Sequence, residues 1–174
     1  ISKGELTVKR VICCLLAACL TLGLCSCGMR ESPGTEVAAE GILLTLPGGM
    51  EQVDNSSLSA DVAWKNDDIG FLTLTVEKAE ETMDEKIASN RDNEDFRVTD
   101  TEDLGPVLWY SFSFDGKTAF MAELITAGRE YRLGFTPGTA LQDKAAAKRV
   151  FEEIVLSLAW DDRVDPEDLP RPRS

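Results

Sequence analysis

The chain contains no histidine. That absence removes the most common general base and a principal metal ligand, so it excludes Ser-His-Asp triads, Cys-His dyads and His-ligated metal centres. Positive charge is also scarce. Eighteen Lys and Arg stand against 31 Asp and Glu, a net charge of −13. Phosphate recognition needs clustered Lys and Arg, so no nucleic-acid partner is expected. Cysteine is missing from everything after residue 27; all five lie at Cys13, Cys14, Cys19, Cys25 and Cys27. The longer part of the chain therefore folds without disulfides and holds together by packing. Phosphate-binding glycine loops, HExxH, GxSxG and SxxK spacings are absent as well. No catalytic residue, cofactor site or metal site is assigned, and an enzyme is not expected. At 174 residues, the length suits one domain with a substantial core.

The front of the chain carries the strongest pattern. Lys3, Lys9 and Arg10 precede an uncharged stretch, residues 11–24, that is 14 residues long and short of the roughly 20 that span a bilayer. Leu24-Cys25-Ser26-Cys27-Gly28 follows and resembles a bacterial lipobox, with Leu24 at −3 and the small Ser26 at −1. Cys27 is the expected lipidation site, since choosing Cys25 would put the bulky Leu24 at −1. Cys25 at −2 departs from the usual small or β-branched residue. Residues 1–26 are thus expected to be a signal peptide, with an uncleaved N-terminal anchor as the alternative. Either way the domain faces the extracytoplasmic side of a bacterial membrane, because Lys9 and Arg10 stay inside. Without residues 1–26 the chain has 15 basic and 30 acidic side chains. An anionic bilayer repels that excess, so the domain is expected to stand off the membrane on its tether.

Residues 27–39 read as the lipidated cysteine and a flexible tether, residues 40–160 as one domain, and the proline- and charge-rich residues 161–174 as a disordered tail. Within the domain, Gly41–Leu46 reads as a strand ending at Pro47-Gly48-Gly49. In Phe71–Val76, Leu72, Leu74 and Val76 share one face. Thr82 and Glu85 form a capping box that starts a short helix. Tyr110, Phe112 and Phe114 alternate with serines and are expected in the core, with Trp109 on the opposite face. Asp115-Gly116 and Ala127-Gly128 turn the chain into two further strands, which carry Phe120, Ala122 and Leu124, then Tyr131, Leu133 and Phe135. A second capping box at Thr139–Gln142 is expected to open a helix with the apolar stripe Ala147, Val150, Phe151, Ile154, Val155 and Leu158. This order indicates an α+β single domain, an antiparallel β-sheet covered by helices.

From Gly41 to Trp160 the chain resembles the PsbP-like family. The resemblance rests on Gly41-Ile42-Leu43-Leu44-Thr45-Leu46-Pro47-Gly48-Gly49, the Thr82 helix, the Asp115-Gly116 hairpin, the Tyr131–Phe135 strand and the Phe151–Leu158 helix. It implies an α/β/α sandwich and a noncatalytic, adaptor-like module; these are fold-defining positions, not a functional signature. The expected function is that of a membrane-anchored lipoprotein that binds an envelope protein. The alternative is a lipoprotein holding a small apolar or lipid-like ligand between sheet and helix. Two local features invite further readings. Segment 77–103 holds 11 acids against four bases, with Asp92, Glu94 and Asp95 close together, and reads as a solvated acidic surface or a weak divalent-cation site. Trp64, Trp109 and Tyr110 read as core residues or as a stacking surface.

Overall fold

The computed structural model describes residues 34–172. The signal segment and the expected lipidation site Cys27 lie outside these residues. Seven antiparallel strands form the main sheet, in the order β3 (Glu51–Gln52), β4 (Val62–Asn66), β5 (Gly70–Lys78), β9 (Arg129–Pro137), β8 (Lys117–Thr126), β7 (Gly105–Phe114) and β6 (Glu94–Thr101). A smaller sheet pairs β1 (Thr35–Ala39), β2 (Ile42–Leu46) and β10 (Ala159–Trp160), with β2 in the middle. Helix α1 (Met83–Asn90) connects β5 to β6, and α2 (Lys144–Leu156) follows β9.

Register explains where the core sits. Across the main sheet, Leu74, Leu133, Ala122 and Trp109 stand in one row, Leu72, Phe135 and Phe120 in the next, and Val76, Tyr131, Leu124 and Val107 in a third. All of these side chains are buried. Helix α2 lays Ala147, Phe151, Ile154 and Val155 onto the same apolar cluster, which Ile42, Leu44 and Leu46 of the small sheet complete. The small sheet is also tied to the end of α2, where the Thr45 amide donates to Ser157 Oγ at 2.8 Å. Helix α1 packs on the other side of the main sheet, against β7–β9, through Lys86. The architecture is the expected α+β sandwich with a helix on either side.

The two hairpin turns behave as anticipated. Asp115 and Gly116 have φ of 49° and 71°, the paired positive values of a tight two-residue loop, and Ala127-Gly128 repeats them. The Thr82 capping box is present: the Glu85 amide donates to Thr82 Oγ1, and the Thr82 amide donates back to Glu85 Oε2.

Several expectations are corrected. Strand β7 has the opposite parity: Trp109 faces the core, while Tyr110, Phe112 and Phe114 lie on the other side and Phe114 is 60% exposed. Val107, Leu108 and Trp109 are all buried because both faces of β7 are covered there, so alternation alone cannot assign the core side. Helix α2 begins at Asp143, whose carboxylate accepts from the Ala146 amide at 2.8 Å. Thr139 is no cap, because its hydroxyl bonds Asp68 Oδ1 and its amide bonds Asp67 O, fastening it to the β4–β5 turn. Thr35–Ala39, inside the stretch read as a tether, pairs with all of β2. Part of the stretch read as a tail also packs on the domain. Asp161 is buried and donates its amide to Gly41 O, and Arg129 Nη2 donates to Pro170 O at 2.6 Å.

Candidate functional site

Charged side chains meet most closely on the α1 side of the main sheet. Strand pairing sets Glu123 of β8 opposite Arg132 of β9, and Glu130 opposite Glu77 of β5. Alternation turns these four side chains to the face that α1 covers. The capping box fixes the start of α1, and Lys86, one turn in, is the only buried residue of that helix. Its ammonium lies 2.8 Å from Glu130 Oε1 and 3.8 Å from Glu123 Oε2. Arg132 bridges Glu130 and Glu77, with 2.9 Å to the latter. Tyr110 donates its hydroxyl to Glu123 Oε1 at 3.2 Å.

Burial works to raise the Glu130 pKa, but hydrogen bonds from Lys86 and Arg132 outweigh it and hold the carboxyl below its ordinary value. Burial, followed by the neighbouring Glu123 charge, pushes the Tyr110 phenol far above its usual range, so it remains a hydrogen-bond donor. Glu123 Oε2 is buried without a hydrogen bond and faces Lys86 only across the longer ion-pair distance. The network is a buried electrostatic fastening for α1. Lys86 is buried and held between two carboxylates, so its amine is engaged inside the fold and not presented to a substrate.

A second cluster joins β6 to α2. Asp95 accepts from Lys148 Nζ at 2.8 Å, lies 3.1 Å from Lys144 Nζ and bonds Ser111 Oγ at 3.1 Å. The two lysines hold its carboxyl well below the usual range. Glu94 takes Lys144 at 2.6 Å. Glu94 and Asp95, two of the three carboxylates that a divalent cation would use, are thus engaged by lysines, and among the described residues no group of three acidic, cysteine or histidine side chains is placed to hold one. Asp95 sits at a β-bulge with φ of 55°.

Two of the three tryptophans belong to the core. Trp64 and Trp109 are 3% and 1% exposed, which leaves neither a face for stacking. Trp109 meets Phe151 edge-on at 6.2 Å, and Phe151 lies 5.5 Å from Phe120. These rings fill the space between α2 and the sheet that an apolar ligand would need. Sequence reading missed the charged network, although Met121 and Ile125, which flank Glu123 on its own face of β8, are a signal that this face is covered too.

This arrangement of a twisted antiparallel sheet between helices is the PsbP-like fold. It is similar to the solution structure of cyanobacterial PsbP (CyanoP) from Synechocystis sp. PCC 6803, with a TM-score of 0.54 and 12% identity over 80% of this chain and 99% of that one. It is also similar to a crystal structure from Bacteroides thetaiotaomicron VPI-5482, with a TM-score of 0.52 and 11% identity over 76% of this chain and 50% of that one. At such identities the likeness is one of fold. No protein-family model matches the sequence, and no curated protein matches it. Among the described residues no helix is long and apolar enough to cross a membrane.

Proposed function

We propose that the protein is a bacterial lipoprotein, anchored through Cys27, whose PsbP-like domain works on the extracytoplasmic side as a noncatalytic binding module for an envelope protein. The observation that carries this reading is the confinement of cysteine to residues 13–27, ending in Leu24-Cys25-Ser26-Cys27-Gly28. Lipid on Cys27 supplies the anchor, since each buried CH₂ contributes about 0.8 kcal/mol and two or more acyl chains hold stably. The noncatalytic part is supported by engaged charges: Lys86, Glu130, Arg132 and Asp95 are each held by oppositely charged neighbours inside the fold. An excess of acidic side chains favours a partner surface that is basic.

The test has two parts. Cys27→Ser should leave the precursor unprocessed or release the domain from membranes, as read by fractionation. Crosslinking in intact envelopes, followed by detergent extraction and pull-down, should recover a partner protein. Membrane retention and normal processing of Cys27→Ser would reject the anchor, and recovery of the bait alone would reject the adaptor.

A further inference from the structure

Strand β6 does not cover the whole of β7. Their ladder runs from Thr101 opposite Gly105 to Glu94 opposite Ser111 and stops there. On its other side β7 stays paired with β8 to the hairpin, where Phe114 faces Lys117. Phe112, Ser113 and Phe114 therefore have a neighbouring strand on one side only. The two-residue Asp115-Gly116 turn makes Phe114 and Lys117 the closing hydrogen-bonded pair, and such pairs alternate along an antiparallel ladder. Phe112 then bonds β8 as well, while Ser113 turns its N–H and C=O outward. Ser111 has the same parity as Ser113 and meets Glu94 on that side, as this alternation requires. An open groove of about 500 Å³ reaches from there over β7 to Thr118 of β8, bounded also by Asp92, Asn93, Glu94, Ser111, Phe112 and Ser113.

We propose that this open end of β7 is a strand-addition site for a short extended segment of a partner protein carrying Lys or Arg. The proposal deepens the binding reading and rests on it. Ser113 offers a backbone donor and acceptor to the incoming segment. Asp92 is exposed and has no ion-pair partner among the described residues, and Glu94, which shares Lys144, adds a second carboxylate at the rim. Those charges select a basic segment. They also oppose a second copy of this chain, which would bring the same carboxylates together at a net charge of −13 on each molecule. Beyond Glu94 the native chain leaves the ladder for the turn after α1, where the Asn93 amide donates to Asn90 O at 3.0 Å, so it does not reach Ser113.

The experiment uses the full chain in mild detergent and a fluorescein-labelled Lys-Val-Lys-Val-Lys peptide, with Glu-Val-Glu-Val-Glu as its acidic counterpart. Fluorescence anisotropy should show binding of the basic peptide and at least about tenfold weaker binding of the acidic one. Hydrogen exchange at residues 112–114 should slow in the complex. Ser113→Pro removes the outward N–H at a position where an edge strand tolerates proline, and should weaken binding by about tenfold or more. Asp92→Lys should weaken it without touching the backbone, whereas Glu51→Lys, on β3 at the opposite edge of the sheet, should leave it unchanged. If Ser113→Pro fails to fold, the Asp92→Lys result and the exchange footprint decide alone. The site is overturned by absence of binding at millimolar peptide, by equal binding of the two peptides, or by self-association that protects residues 112–114 without peptide. Peptide failure alongside a crosslinked envelope partner would remove this site and leave the adaptor standing. Peptide binding with no partner recovered would do the reverse.

Discussion

The Phe151 ring of α2 lies parallel to the Phe135 ring of β9, with 5.9 Å between centroids and planes 5° apart. Phe120 and Trp109 close around the same ring at 5.5 and 6.2 Å. One side chain thus joins the helix to three strands of the sheet. Phe151→Ala should cost about 3–5 kcal/mol, because the rings around it cannot collapse into the space it leaves. Urea denaturation should show a lower midpoint with an unchanged slope. A loss no larger than that of an exposed alanine substitution would contradict this placement.

Lys86 supplies the cation for two carboxylates that are 94–96% buried. Lys86→Met should destabilise the domain by about 3–5 kcal/mol, most of it from leaving buried Glu123 without its ion-pair partner and Glu130 with Arg132 alone. Adding Glu123→Gln and Glu130→Gln to that variant should recover a large part of the loss. Thermal melts of the single and triple variants decide the matter; equal stability would show that the charges were not the cause.

Asp95 sets an acid-side dependence. Hydrogen bonds from Lys148 and Lys144 depress its folded pKa below the ordinary 3.8. A depressed carboxyl contributes stability that is fully present above the unfolded value and is lost as pH falls through the folded one. Asp95→Asn should therefore cost about 2 kcal/mol at neutral pH, and the difference from the parent chain should shrink progressively below about pH 4. Denaturation midpoints measured from pH 7 to pH 2 provide the check. A gap that stays constant over that range would rule out the ionic origin.

Gly70 opens β5 at φ of 144°, and a Cβ there would sit 2.4 Å from Thr136 O and 2.9 Å from the Phe135 ring. Neither the paired strand nor the core ring can withdraw cheaply. Gly70→Ala should cost about 2–3 kcal/mol or more, through backbone strain and this close contact together. A melting temperature within a degree of the parent would show that the backbone relaxes freely.

How much of this was legible in the sequence depended on whether one face or two were covered. Strands β8 and β9 read correctly because their apolar sides alternate between glycine-bearing turns. Strand β7 did not, since Val107 to Trp109 is apolar on both sides and the Tyr-Ser-Phe-Ser-Phe run that follows suggests the wrong parity. The Thr82 cap was readable because its partner Glu85 is local. The false cap at Thr139 arose because its hydroxyl is claimed by Asp68, 71 positions away. The charged network has the same origin: Lys86, Glu123 and Glu130 converge only after α1 packs across two paired strands. The open end of β7 depends on how far β6 reaches along it before the turn after α1, a pairing between separate segments that no local residue pattern announces.

The most direct measurement is intact-mass and peptide spectrometry of the protein recovered from bacterial membranes. The account predicts a chain that begins at Cys27, with its sulfur in a thioether to diacylglycerol. A free thiol at Cys27, in protein recovered from the cytosol with residues 1–26 still attached, would contradict it.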